Sequence, residues 1–203
     1  MNLILYEDRD FIIADKPHGL PTVPLKRDLQ QETLLKEVSV LYPEVLHSYG
    51  RNYWEGGALH RLDTDTSGLV IFARNQAFYD YLFGEQLNDR FVKQYRADTD
   101  GDTEEREISS YFRAFGEGRK RVKVELNPEK ADSPVLYRTT IEKKESGVYS
   151  CTITRGFRHQ IRAHLAYLGC PIKGDRLYNP ENPGSVLLLD CQSVSFGDFT
   201  FHK

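Results

Sequence analysis

The stretch that most limits how this chain can fold is a run of five apolar residues, Leu69-Val70-Ile71-Phe72-Ala73. It is entered through Gly68 from His60-Arg61-Leu62-Asp63-Thr64-Asp65-Thr66-Ser67, where charged and hydroxyl side chains dominate. A short strand that is apolar throughout reads as a buried member of a sheet. Its polar approach therefore lies at the rim of that sheet, with Asp63 between a basic pair and a hydroxyl-rich turn. Loops fixed to a rigid scaffold are where catalytic side chains concentrate.

The rest of the chain supplies the sheet. Leu3–Tyr6 and Phe11–Ala14 read as strands around the turn Asp8-Arg9-Asp10, and Lys16-Pro17-His18-Gly19-Leu20-Pro21 as a punctuated loop. Leu34, Val38 and Leu41 have helical spacing over Thr33 to Leu41. Asn75 caps a predicted helix to about Leu87, with Phe78 and Leu82 on its inner face. Phe91 to Ala97 is extended. The acidic stretch 98–107 is predicted to be a mobile, solvated loop. Strands follow near Val122–Leu126, Val135–Glu142, Val148–Thr154, Val186–Asp190 and Val194–Phe196. Arg158 to Leu168 reads as a helix burying Ile161, Leu165 and Leu168 and ending at Gly169. The fold class expected is α+β: a mixed, largely antiparallel β-sheet with a few flanking helices, as a single domain over residues 1–203.

Composition narrows the partners. The 203 residues are 39% hydrophobic, enough for one substantial core. No apolar run approaches the roughly 20 residues of a membrane helix, and the first residues lack signal-peptide character. Cys151, Cys170 and Cys191 are widely spaced and odd in number, which reads as buried or incidental reduced thiols rather than a disulfide framework or zinc site. Net charge is −3, but residues 1–101 carry 11 Lys/Arg against 16 Asp/Glu, and residues 102–203 carry 16 against 14. Arg113 to Lys123 and Cys151 to Tyr178 are locally basic, and such stripes bind phosphates whatever the overall sign. For Arg113–Lys123 alone, a solvated face is the preferred reading.

Three segments hold the chemistry: the Asp63 loop, Lys93-Gln94-Tyr95-Arg96-Ala97, and Arg155 to Leu165 with its continuation Gly169 to Tyr178. Asp65 is the rival carboxylate. Thr66 and Ser67 hydroxyls are read as ties for the loop. Arg162, at the edge of an apolar helix face, is a candidate partner that would keep Asp63 ionised. Tyr95 is read either as core or as a stacking surface for a base. His159 and His164 are five apart, off one helical face, so no metal site is expected.

These segments together resemble the RluA family of pseudouridine synthases. His60 to Leu69 matches its H-R-L-D-x-x-T-S-G-L pattern, Lys93 to Ala97 its K-x-Y-x-A, and His159 to Leu165 its H-Q-I-R-x-H-L. Asp15-Lys16-Pro17-His18-Gly19-Leu20 and Pro171-Ile172-Lys173-Gly174-Asp175-Arg176-Leu177-Tyr178 match two further family strings. The resemblance implies isomerisation of uridine to pseudouridine in ribosomal or transfer RNA, with Asp63 the catalytic carboxylate, Tyr95 an active-site tyrosine and Arg162 the arginine that pairs with the aspartate. It leaves open whether Asp63 acts as nucleophile or base. Candidate RNA contacts are His60, Arg61, Arg155, Arg158, Lys173 and Arg176. No cofactor, metal, membrane or obligate protein partner is expected, and the setting implied is cytoplasmic. The S4-like RNA-binding domain of some relatives is not expected.

Departures are Arg158, where the family often has threonine, and Asp190-Cys191, where it usually has His-Ala. Three rivals stand beside this reading: an inactive RNA-binding protein, a hydrolase built on Asp63 with His60 or His159, and a structural β-rich module.

Overall fold

The computed structural model describes residues 3–48, 50 and 52–203. In chain order its principal elements are β1 (Ile4–Glu7), β2 (Phe11–Lys16), α1 (Leu34–Leu41), β3 (Ser67–Ala73), α2 (Gln76–Leu87), β4 (Val92–Asp98), β5 (Arg106–Phe115), β6 (Arg121–Glu125), β7 (Tyr137–Glu145), β8 (Val148–Ile153), α3 (Gln160–Tyr167), β9 (Leu189–Phe196) and β10 (Phe199–His202). The class is α+β, with a mixed, mostly antiparallel arrangement of strands and few helices. The chain divides into two compact units, Met1–Phe91 with Cys191–Lys203, and Val92–Asp190.

In the first unit the strand order is β1-β2-β3-β9, with β10 paired to β9. Asp8 turns β1 into β2: its Oδ1 accepts the Asp10 and Phe11 N–H groups at 2.8 and 2.9 Å, an Asx turn. The apolar run is buried throughout, as are Phe11 to Ala14 opposite it. Gly68 opens β3 at φ +109°, and a Cβ there would meet the Cys191 backbone at 2.3–2.4 Å. Only glycine satisfies both the conformation and the approach. Thr33 caps α1 by accepting Lys36 N–H, and Asn75 caps α2 by accepting Phe78 N–H. Phe78 then stacks on Phe11 at 4.7 Å between ring centroids, in a cluster with Phe196, Phe199 and Phe201.

In the second unit the order is β4-β8-β7-β5-β6, every neighbouring pair antiparallel. Helix α3 packs on β6 and β7 and ends in a Schellman arrangement, Cys170 N–H to Leu165 O and Gly169 N–H to Ala166 O. The three cysteines are buried and none is in a disulfide.

Five details differ from the sequence reading. Strand β5, whose exposed charges and serines hide its period, was not foreseen; nor was the four-residue β10. The two expected C-terminal strands are one, β9, continuous through polar Asp190, Gln192 and Ser193. Helix α3 starts at Gln160, not Arg158, because His159 lies in the left-handed region at φ 57°. The acidic loop is bonded in place. Asp102 accepts from Gly147 N–H, Ser146 Oγ and Tyr149 OH and pairs with Lys143, which holds its carboxyl below the usual carboxylate range. The backbone bond from Gly147 is the largest cause.

Candidate active site

The Asp63 loop is clamped from both sides by its own unit. Thr22, buried, donates to Leu62 O at 2.9 Å and accepts from Leu62 N–H at 3.0 Å. On the other side Thr64 O accepts from Gly19 N–H at 2.9 Å and from Lys16 Nζ at 3.0 Å. Lys16 is fully buried at the end of β2, opposite Gly68. Its ammonium also donates to Pro17 O and Leu20 O, so one cation ties the Pro/Gly loop to the residue after Asp63. Burial pushes its pKa down to about 8, opposed by the nearby charges of Asp63 and Asp65. A turn closes over Asp63 as Thr66 N–H donates to Asp63 O at 3.0 Å. The Thr66 hydroxyl, expected to tie the loop, makes no hydrogen bond; the backbone does that work. Asp63 itself is half-buried.

Of the basic neighbours, Arg61 keeps most of its side chain in solvent and reaches Glu55 at 2.8 Å. His60 is buried, its Nε2 accepting Ile71 N–H at 3.3 Å and its ring edge-on to Phe91. That bond fixes the head of the motif to β3.

The other candidates stand on the second unit. Tyr95, buried in β4, lies opposite Cys151 of β8. Two residues before it, buried Lys93 donates to Thr154 O at 2.7 Å. Arg162 is buried, and its Nε and Nη2 fork onto Asp175 Oδ2 and Oδ1 at 2.7 and 2.8 Å. Asp175 Oδ1 also accepts Leu177 and Tyr178 N–H groups, and the guanidinium lies 5.3 Å from the Tyr178 ring centre. A buried pair in this geometry is satisfied by several donors and fixes the arginine in one orientation. The preceding Gly174 is again obligatory: at φ +76° a Cβ would strike Val186 O. Arg155 is half-buried, and Lys173 and Arg176 are exposed. Arg158 directs its guanidinium to Arg119 O at 2.7 Å.

Three residues escaped the sequence reading: Lys16, Thr22 and Asp175. Lys16 and Asp175 sit inside matched family strings, a signal that was present; Thr22 is a lone hydroxyl with none. Among the described residues no group of three His, Cys, Asp or Glu is placed to hold a metal ion.

Comparison with known proteins gives one family. The family model for RNA pseudouridylate synthase matches residues 10–167, a span holding Asp63, Tyr95 and Arg162. An uncharacterised RNA pseudouridine synthase of Mycoplasma pneumoniae is 28% identical over 207 residues, covering 98% of this chain and 63% of that protein. Ribosomal large subunit pseudouridine synthase D of Xanthomonas campestris is 33% identical over 181 residues, covering 86% of this chain and 51% of that protein. The chain thus spans about half to two thirds of the length of these relatives. In fold it is similar to human RNA Pseudouridylate Synthase Domain Containing 1, at a TM-score of 0.71 and 23% identity, covering 98% of this chain and 81% of that one. The chain belongs to the RNA pseudouridylate synthases, and within them to the RluA family.

Proposed function

We propose that this protein isomerises uridine to pseudouridine in RNA, with Asp63 as the catalytic carboxylate. The observation that carries the reading is the H-R-L-D loop, held by Thr22, Lys16 and Gly19 so that a half-buried carboxylate stands in a fixed loop ahead of β3. In the reaction the bond from uracil N1 to the ribose C1′ breaks, the base turns, and C5 bonds to C1′. The C5 proton leaves and N1 ends protonated, so the product is an isomer and no cofactor is consumed. A lone carboxylate suits chemistry at a glycosidic carbon, where an oxocarbenium-like centre needs a nucleophile or a counter-charge. The target nucleotide must leave its stack, at a cost of a few kcal/mol. Stacking on Tyr95, at roughly 1–3 kcal/mol per base, offsets much of that cost.

Arg162 is proposed to pair with Asp63, oriented by its fork on Asp175. Arg61, Arg155, Lys173 and Arg176 are proposed to contact RNA, with His60 holding the motif. The name of the Xanthomonas relative makes ribosomal RNA of the large subunit the first substrate to test, ahead of transfer RNA, in the cytoplasm.

Asp63→Asn is expected to lower pseudouridine formation on unmodified ribosomal transcripts by on the order of a thousandfold with an unchanged thermal melt. Arg162→Ala is expected to lower turnover rather than RNA affinity. Normal turnover by Asp63→Asn ends the assignment; a loss of affinity alone in Arg162→Ala makes that residue a phosphate contact.

A further inference from the structure

The basic stretch Arg113–Lys123 is a β-hairpin, and its outward face is unusual. Strand register sets Arg113 directly opposite Lys123, and Phe115 opposite Arg121. Like charges directly opposite one another in a sheet are destabilising. One carboxylate, Glu125, meets both, at 3.0 Å from Arg113 Nε and 2.8 Å from Lys123 Nζ, and so cancels one charge of two. Arg121 stacks on Phe115, its guanidinium carbon 4.7 Å from the ring centre. Lys120 is exposed at the tip, and Arg119 pairs with Asp132 while keeping 68% of its side chain in solvent.

The hairpin is held rigidly. Its inward face, Phe112 and Val122, packs against Ala163 of α3. Tyr178 OH accepts Val122 N–H at 2.8 Å and donates to Val122 O at 3.1 Å. Gly116, Gly118 and Arg119 all take positive φ, giving the tip one tight shape. Arg158 reaches over from the residues before α3 to donate to Arg119 O. This is where the arginine found in place of the family's usual threonine goes.

A fixed surface that opposes its own charges and stacks a guanidinium on an aromatic ring is built for a polyanion with flat bases. We infer that the outward face of the β5–β6 hairpin, through Arg113, Lys120, Arg121 and Lys123, binds the phosphate backbone of the substrate RNA, an inference that rests on the proposed function. The hairpin contributes affinity, while the chemistry stays with Asp63. Each phosphate contact releases condensed counterions, so the contribution is read in the salt dependence of binding.

The test uses the full chain and unmodified, in vitro transcribed large-subunit ribosomal RNA, carrying a fluorophore for binding. The variant Lys120→Gln/Arg121→Gln/Lys123→Gln is compared with the unaltered protein across a potassium chloride series, after its thermal melt has been checked. Lys120→Glu alone, at the exposed tip, serves if the triple variant melts early. The triple variant is expected to bind about tenfold or more weakly, with a log–log salt slope shallower by about two to three. Pseudouridine formation at saturating RNA should stay unchanged, the loss appearing in KM. Equal affinity and equal slope for folded variant and parent overturn the hairpin inference while leaving pseudouridine formation standing. Hairpin-dependent binding without any pseudouridine in either sample overturns the proposed function and keeps the hairpin as an RNA surface. Failure of the parent to bind RNA overturns both.

Discussion

At the scale of single residues, the Asp63 loop shows how the position proposed to react is held by ordinary parts. Nothing in it is strained: a turn, a buried threonine and a lysine do the positioning. Lys16 is the least ordinary of these, a buried ammonium satisfied by three backbone carbonyls. Replacing it with methionine keeps the volume and removes every donor, taking the Lys16 bond from Pro17 O and Leu20 O and leaving Thr64 O with Gly19 N–H alone. Lys16→Met is expected to destabilise the fold by about 2 kcal/mol in urea melts. Pseudouridine formation should fall by about a hundredfold even where the variant is fully folded, because a displaced catalytic group costs that much. Full activity in a folded variant would show that Lys16 does not set the loop. Asp63 itself was legible in the sequence, since its neighbours form a long specific string. Lys16 lay inside a matched string too, but its role was not legible, because a lysine beside Pro17 looks like any solvated loop residue until the fold brings Thr64 to its ammonium. For Arg158 the sequence suggested contact with RNA; what it could not show is that the exposed guanidinium also donates to the protein's own backbone at Arg119 O.

Among the elements, α3 carries a buried polar contact that makes stability depend on pH. His164 is fully buried, with Nε2 and Nδ1 at 2.9 and 2.8 Å from Ser110 Oγ of β5 and Thr139 Oγ1 of β7. Burial pushes its pKa down to about 4 from an ordinary 6.5. Between these values the unfolded chain takes up a proton that the folded one refuses. The stabilising contribution is therefore complete above about pH 6.5 and is lost as pH falls toward 4, by about 3 kcal/mol at most. Urea midpoints measured from pH 7 to pH 4 should fall more steeply for the parent than for His164→Gln, which has no such proton to gain. Parallel curves would place the acid sensitivity elsewhere. The same elements show what pattern can and cannot reveal. Helix α1 was readable from the spacing of Leu34, Val38 and Leu41, and α2 because Asn75 is a capping residue ahead of apolar positions. Strand β5 was not, because its buried side chains include Ser110, which faces His164 rather than an apolar core. A polar residue that is buried for the sake of a hydrogen bond breaks the alternation from which strands are inferred.

For the whole molecule, the decisive fact is that the first unit is discontinuous in sequence. Residues 191–203 return to it after the 99 residues of the second unit. They bring β9 to the side of β3, set Cys191 against Gly68, and add Phe196, Phe199 and Phe201 to the cluster around Phe11. No local pattern announces such a closure, which depends on pairing across more than a hundred residues of chain. Removing residues 191–203 would strip β3 of a neighbouring strand and open the aromatic cluster to water. Phenylalanine burial is worth roughly 1.5–3 kcal/mol per side chain, and a whole domain holds only about 5–15 kcal/mol in reserve. Phe196 is fully buried and Phe201 partly so; losing them with the β9 pairing removes a large share of that reserve, and an unpaired apolar edge templates aggregation. The truncated chain is therefore expected to lose its cooperative thermal transition and to aggregate during refolding, as followed by circular dichroism and light scattering. A truncated chain that melts cooperatively near the parent's Tm would show that β9 and β10 are dispensable, and that residues 3–91 close their core alone.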